Sequence, residues 1–142
     1  MKHAVLIVTL IAALIVPAGF ASAQTAPAAG SLGSVTLNRR VMADGQPLAP
    51  GTYQLRLSAE MPKPGVGQSP DGARYVEFVR SGKVVAREVA TVVLAADLAQ
   101  VADGARPAPG TVRVELLKGD DYVRVWINRG GVNYLIHLPA AT

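Results

Sequence analysis

Hydrophobic and polar residues alternate with a period of two over most of the chain, the signature of strands with one face turned to a core. In 52–59, Tyr53, Leu55 and Leu57 share one face, while Gln54, Arg56 and Ser58 share the other. Residues 34–42 alternate in the same way through Val35, Leu37, Arg39 and Val41. Two further strands, 73–80 and 83–94, flank Ser81-Gly82, a two-residue hairpin turn. Three more are expected over 112–118, 121–129 and 132–138. Between them, 60–72 carries three prolines and three glycines and has no regular period. Residues 95–102 form the one stretch of helical character.

The last three strands can be placed in register. A two-residue turn at Gly119-Asp120 sets Val112, Val114 and Leu116 on one face with Val123, Val125 and Ile127. A second such turn at Gly130-Gly131 adds Tyr134, Ile136 and Leu138 to that face. A three-residue loop there would split the apolar set, because a slip of one residue inverts a strand. These residues, with Tyr53, Leu55 and Leu57, are the expected core. The opposite face then carries two cross-strand rows: Glu115, Arg124 and His137, and Arg113, Trp126 and Leu135. About seven short strands with regular turn signals predict an all-β fold, an antiparallel β-sandwich. The sandwich is preferred to a closed barrel because long irregular links suit crossings between sheets.

The segment Ala43–Leu57 (ADGQPLAPGTYQLRL) is echoed by Ala102–Leu116 (ADGARPAPGTVRVEL). Both describe a turn, a Pro-Gly corner and an alternating strand, so the echo reads as convergent turn chemistry or as duplication of half a sandwich. The run Leu48-Ala49-Pro50-Gly51-Thr52-Tyr53 resembles the L-x-x-G-T-Y lead into a strand found in bacterial secreted domains of immunoglobulin-like and transthyretin-like type. That resemblance implies a non-catalytic appendage or binding module and carries no ligand residue with it.

The amino terminus changes the picture of where such a domain works. Met1-Lys2-His3 is a short basic start, and 4–16 is an apolar run. Pro17 and Gly19 end it, and Ala21-Ser22-Ala23 offers the small-x-small pattern of a signal-peptidase site. The run is shorter than the roughly 20 residues of a spanning helix. Residues 1–23 therefore read as a cleaved signal peptide, 24–33 as a flexible Ala/Gly/Ser/Pro lead-in, and 34–142 as the β-sandwich domain. No membrane span is expected after cleavage, and a periplasmic or secreted bacterial location follows. The absence of cysteine leaves stability to packing alone and removes thiol chemistry, Cys-ligated zinc and disulfides.

The 142-residue chain has a formal charge of +4, but its basic residues are spread and interleaved with acids, unlike a nucleic-acid-binding face. After cleavage His137 is the one histidine, too few for a histidine-rich zinc site. No G-x-S-x-G occurs, and the glycine pairs at 65–67 and 130–131 open no helix for phosphate. Asp120-Asp121 is adjacent in a hairpin tip and reads as turn chemistry. No catalytic residue, metal site or cofactor is expected. The expected function is a non-catalytic module for binding or envelope structure, with an envelope protein or a carbohydrate as partner. The alternative is a small secreted hydrolase or lyase that uses carboxylates on a polysaccharide. Trp126 reads either as a ring covered by a loop or second layer, with Arg113 stacked on it, or as an exposed ring platform. The candidate binding set for the second reading is Trp126 with Arg113, Arg124, Asn128, Asn133 and His137 around it.

Overall fold

The computed structural model describes residues 30–101 and 106–142. The signal sequence, its cleavage site and residues 24–29 of the lead-in lie outside the described residues, as do residues 102–105 at the head of the second echo segment. The chain is all-β, with strands β1 (Ser31–Leu37), β2 (Val41–Ala43), β3 (Gln46–Leu48), β4 (Gly51–Leu57), β5 (Ala73–Arg80), β6 (Lys83–Leu94), β7 (Val112–Leu116), β8 (Tyr122–Arg129) and β9 (Val132–Pro139). A short 3-10 turn (Ala95–Asp97) leads into a single-turn helix, α1 (Leu98–Val101).

Seven strands form one antiparallel sheet in the order β1-β4-β5-β6-β9-β8-β7, and β2 and β3 pair as a separate ribbon. The end strands β1 and β7 come within 8 Å, Cα to Cα, without sharing a ladder. The sheet therefore curls around one core, in a sandwich-like or barrel-like build. Its inner face contributes Val35, Leu37, Tyr53, Leu55, Val76, Phe78, Ala86, Ala90, Val123, Val125, Ile127, Ile136 and Leu138, all buried. The ribbon closes this core with Val41, Ala43 and Leu48. It is tied down by a bridge from Val41 to Ala140 and by the Asp44 N–H donating to Glu88 Oε2 at 2.7 Å.

The registers of the last hairpins are those the alternation requires. Val114 lies opposite Val125, and Trp126 lies opposite both Arg113 and Leu135. The turns at Asp44-Gly45, Ser81-Gly82 and Gly130-Gly131 have positive φ at both central residues, the hairpin geometry that matches strand twist. Three expectations are corrected. The single strand over 34–42 is two, broken at 38–40 where the chain leaves the large sheet for the ribbon, and β1 starts earlier, at Ser31. Val114 and Leu116 are exposed, at 38% and 42%, because β7 ends the sheet and no strand covers that part of its inner face. Leu57 and Val112 are only partly buried for the same reason, near sheet edges or ends.

The Gly51/Gly110 position of the echo is also informative. Gly51 and Gly110 both have positive φ, but at +147° and +79°. The two Pro-Gly corners are therefore different conformations written in similar residues. At the first corner, Tyr53 is buried and its hydroxyl donates to the Ala49 carbonyl at 2.6 Å, fixing the approach to β4.

Candidate functional site

The chain leaves β6 at Leu94 and resumes in β7 at the far end of the sheet. On the way Leu98 and Pro107 lie against the outer face of β9 and β8, and the Gly110 N–H donates to the Asn128 carbonyl. That crossing decides the fate of Trp126. Leu98 from α1 packs with Val93, Leu135 and Trp126 in a second apolar cluster on the outer face. Trp126 is 1% exposed. Of the two readings the sequence offers, the covered ring holds and the exposed binding platform is corrected: the indole is a structural anchor under a crossing link.

The surrounding polar residues are brought together as expected, and several of them are engaged within the protein. The Trp126 indole N–H donates to Asn133 Oδ1 at 2.9 Å. Asn128 Nδ2 donates to the Pro107 carbonyl at 2.9 Å, holding the crossing link against β8. Arg124 is buried, donates through Nε to Glu115 Oε1 at 2.6 Å, and lies 5.5 Å from the centre of the Trp126 ring. Arg113 reaches the same carboxylate, Nη2 to Oε2, at 3.6 Å. His137 is exposed; partial desolvation and the neighbouring Arg124 lower its pKa, against a smaller opposite pull from Glu115. This face is a network that seals a tryptophan, and it offers no open ring.

An open groove lies elsewhere on the same outer face. Residues 58–72 loop over β5 and β6 and enclose a depression of about 740 Å³. Pro62 and Pro64 have no N–H to give a ladder, which keeps this segment off the sheet as a wall. Local bonds hold it: Glu60 N–H donates to Ser58 Oγ, Gly65 N–H to Gln68 Oε1, and Asp71 N–H to Ser69 Oγ. The floor is Tyr75 on β5 with Arg87, Val89 and Thr91 on β6. Tyr75 pairs with Val89, and Glu77 with Arg87.

Arg87 lies over the Tyr75 ring at 4.3 Å from its centre and forms an ion pair with Glu60 on the wall. The Arg56–Glu77 pair continues this charged row across β4 and β5. A second depression of about 530 Å³ shares Ser69, Gly72 and Thr91 with the first and runs on to Leu94 and Asp97. The two make one trough along β6. From Arg87 to Leu94 it spans about 20 Å at the rise of an extended strand. Met61, Val89 and Leu94 expose apolar surface along it.

Glu60 is the one carboxylate among the lining residues of the larger depression. Among the described residues, no group of three or more His, Cys, Asp or Glu side chains could hold a metal ion. No described helix is long and apolar enough to cross a membrane. Sequence reasoning missed the groove because a β-bulge decides it. Phe78 pairs with Ala86 but Val79 with Val84, so Val85 is an extra residue. A hairpin without that bulge would turn Arg87 toward the core and separate it from Tyr75. Comparison of the chain with protein-family models, curated proteins and solved structures yields no match.

Proposed function

We propose that this protein is an exported, non-catalytic β-module of the bacterial envelope that holds an extended polymer in the trough along β6. The observation that carries this reading is the shape and lining of that trough. It is long and open, its floor is a sheet face, and it mixes an arginine-stacked tyrosine with apolar Val89 and Met61 and with hydrogen-bonding Gln68, Ser69 and Thr91. Ring faces beside amides and hydroxyls suit pyranose units, which present apolar faces and hydroxyl edges together. A glycan strand is accordingly the favoured occupant.

A two-carboxylate hydrolase needs a second acid within several ångströms of the first. Glu60, the one carboxylate lining the larger depression, is tied up in its ion pair with Arg87, and the aspartates of the trough, Asp71 and Asp97, line the other depression. Binding without cleavage is the chemistry this lining supports. Export rests on the sequence of residues 1–23.

Sedimentation with purified envelope polysaccharide tests the reading. The intact protein should co-sediment. Tyr75→Ala and Arg87→Ala should each weaken binding about tenfold, corresponding to about 1.4 kcal/mol, while leaving Trp126 emission unchanged. Binding that is indifferent to both changes, or release of reducing ends from the polysaccharide, would overturn it.

A further inference from the structure

We propose that the open edge of β7 is a homodimer interface, in which two copies pair antiparallel about Val114. The backbone geometry identifies which groups are free. Leu117 N–H donates to the Tyr122 carbonyl, and Asn128 N–H donates to the Thr111 carbonyl. In an antiparallel ladder, main-chain groups alternate between the two sides of a strand. The N–H and C=O groups of Arg113 and Glu115, with the Thr111 C=O and the Leu117 N–H, therefore face β8. Val112, Val114 and Leu116 turn theirs to the open edge, where no described strand pairs with β7.

An unpaired edge is normally blunted by a charge, a proline or a covering segment. Here β1 approaches at the Val112 end, where a Cβ built on Gly33 would lie 3.7 Å from Val112 Cγ2. Beyond that point Val114 and Leu116 remain exposed, with Tyr122 46% exposed on the neighbouring strand. The inner-face side chains of this edge are apolar, and no described strand pairs with the outward main-chain groups of Val112, Val114 and Leu116.

A second copy fits it because the strand Val112-Arg113-Val114-Glu115-Leu116 is complementary to itself when reversed. Centred on Val114, the pairing sets Val114 against its own copy and Val112 against Leu116. All of these are residues with outward main-chain groups, so each pair can exchange two hydrogen bonds. The same register places Arg113 opposite Glu115 of the other copy, twice by symmetry. The neighbouring allowed registers, centred on Arg113 or on Glu115, would set like charges directly opposite, which is destabilising. Charge thus selects one register out of three. The resulting contact is isologous, as a twofold dimer requires, and it joins two seven-stranded sheets edge to edge.

Light scattering of the size-separated, exported protein over a dilution series tests this. The protein should pass from dimer to monomer on dilution. Val114→Pro should be monomeric throughout, because it removes an outward N–H that β8 does not use; unchanged Trp126 emission would show that it is folded. The chain has no cysteine, so register can be read directly. Under mild oxidation Val114→Cys should yield a disulfide-linked dimer, while Leu116→Cys, whose thiol faces Val112, should not. A wild-type protein that stays monomeric at every concentration would overturn the proposal. So would a dimer that survives Val114→Pro, or equal cross-linking by both cysteine variants.

Discussion

Val114 and Val125 are cross-strand neighbours on the same face of the sheet, yet Val125 is fully buried and Val114 is 38% exposed. Their truncation should therefore cost very different amounts. Val125→Ala or Ile127→Ala should destabilise by about 1–4 kcal/mol through lost transfer energy and a residual cavity. Val114→Ala in the monomer should stay within about 0.5 kcal/mol, as at an ordinary surface site. Chemical denaturation under dilute conditions reads both. Gly51 is a different kind of single-residue requirement. At φ +147° an alanine would be strained by its backbone, so Gly51→Ala should lower stability by about 1 kcal/mol or more. The Arg80 guanidinium that approaches this glycine ends a flexible chain and can swing aside. His137 supplies a pH test. Its pKa is lowered in the folded state, so below the ordinary value of about 6.5 the unfolded chain takes up a proton first. Stability should fall as pH drops through that value and level off below the folded pKa. In His137→Gln this component of the slope should vanish.

At the scale of elements, two features govern what the outer face presents. The first is the bulge at Val85, which keeps Ala86 and Ala90 in the core and turns Arg87 and Val89 outward. Deleting Val85, the extra residue, should give a regular hairpin that keeps Phe78 opposite Ala86 and Arg87 outward. The Val85 deletion should therefore keep the strand signal in far-ultraviolet circular dichroism, and loss of that signal would show that the bulge is needed for more than register. The second is the crossing link over β8 and β9. Because α1 places Leu98 on Trp126, the indole should emit at short wavelength and resist quenching by iodide. Leu98→Ala should uncover it, shifting emission to the red and admitting the quencher, without loss of the sheet. The structural reason is that α1 is a single turn, so Leu98 is its one described buried contact with the cluster.

At the scale of the molecule, one curled sheet separates three roles. Its inner face and the β2–β3 ribbon make the core; the outer face of β8 and β9 is sealed by the crossing link; the outer face of β6 lies open under the proline-rich wall. A cysteine-free chain of this size relies on that single core. The proposed export predicts a mature chain that begins at Gln24. Intact-mass analysis of protein from the periplasm or medium should show the loss of residues 1–23, and a full-length mass confined to the membrane fraction would contradict export. Without Lys2 the formal charge of the exported chain falls from +4 to +3, which would favour contact with anionic envelope polymers, and such contact should weaken with salt. Binding in the trough should instead depend on Tyr75 and Arg87 at any ionic strength.

The sequence alone determined the strands, their faces and the hairpin registers from Val112 to Leu138. A period of two and the two-residue turn at Gly130-Gly131 are local properties, and shifting either would have exposed a whole apolar row. Between β7 and β8 the expected register holds although the loop is wider than Gly119-Asp120, with the Asp120 N–H donating to the Leu117 carbonyl. The sequence also brought Trp126, Arg113, Arg124, Asn128, Asn133 and His137 onto one face, since register alone fixes that. Strand order was decided by the tertiary structure: β9, not β7, lies beside β6. From that order follow the crossing link that buries Trp126 and the edge position that exposes Val114 and Leu116. The bulge at Val85 was equally invisible, because any residue of a valine-rich strand can be the extra one until both neighbouring faces must be packed. Alternation says which residues share a face. What covers that face depends on where distant parts of the chain come to rest.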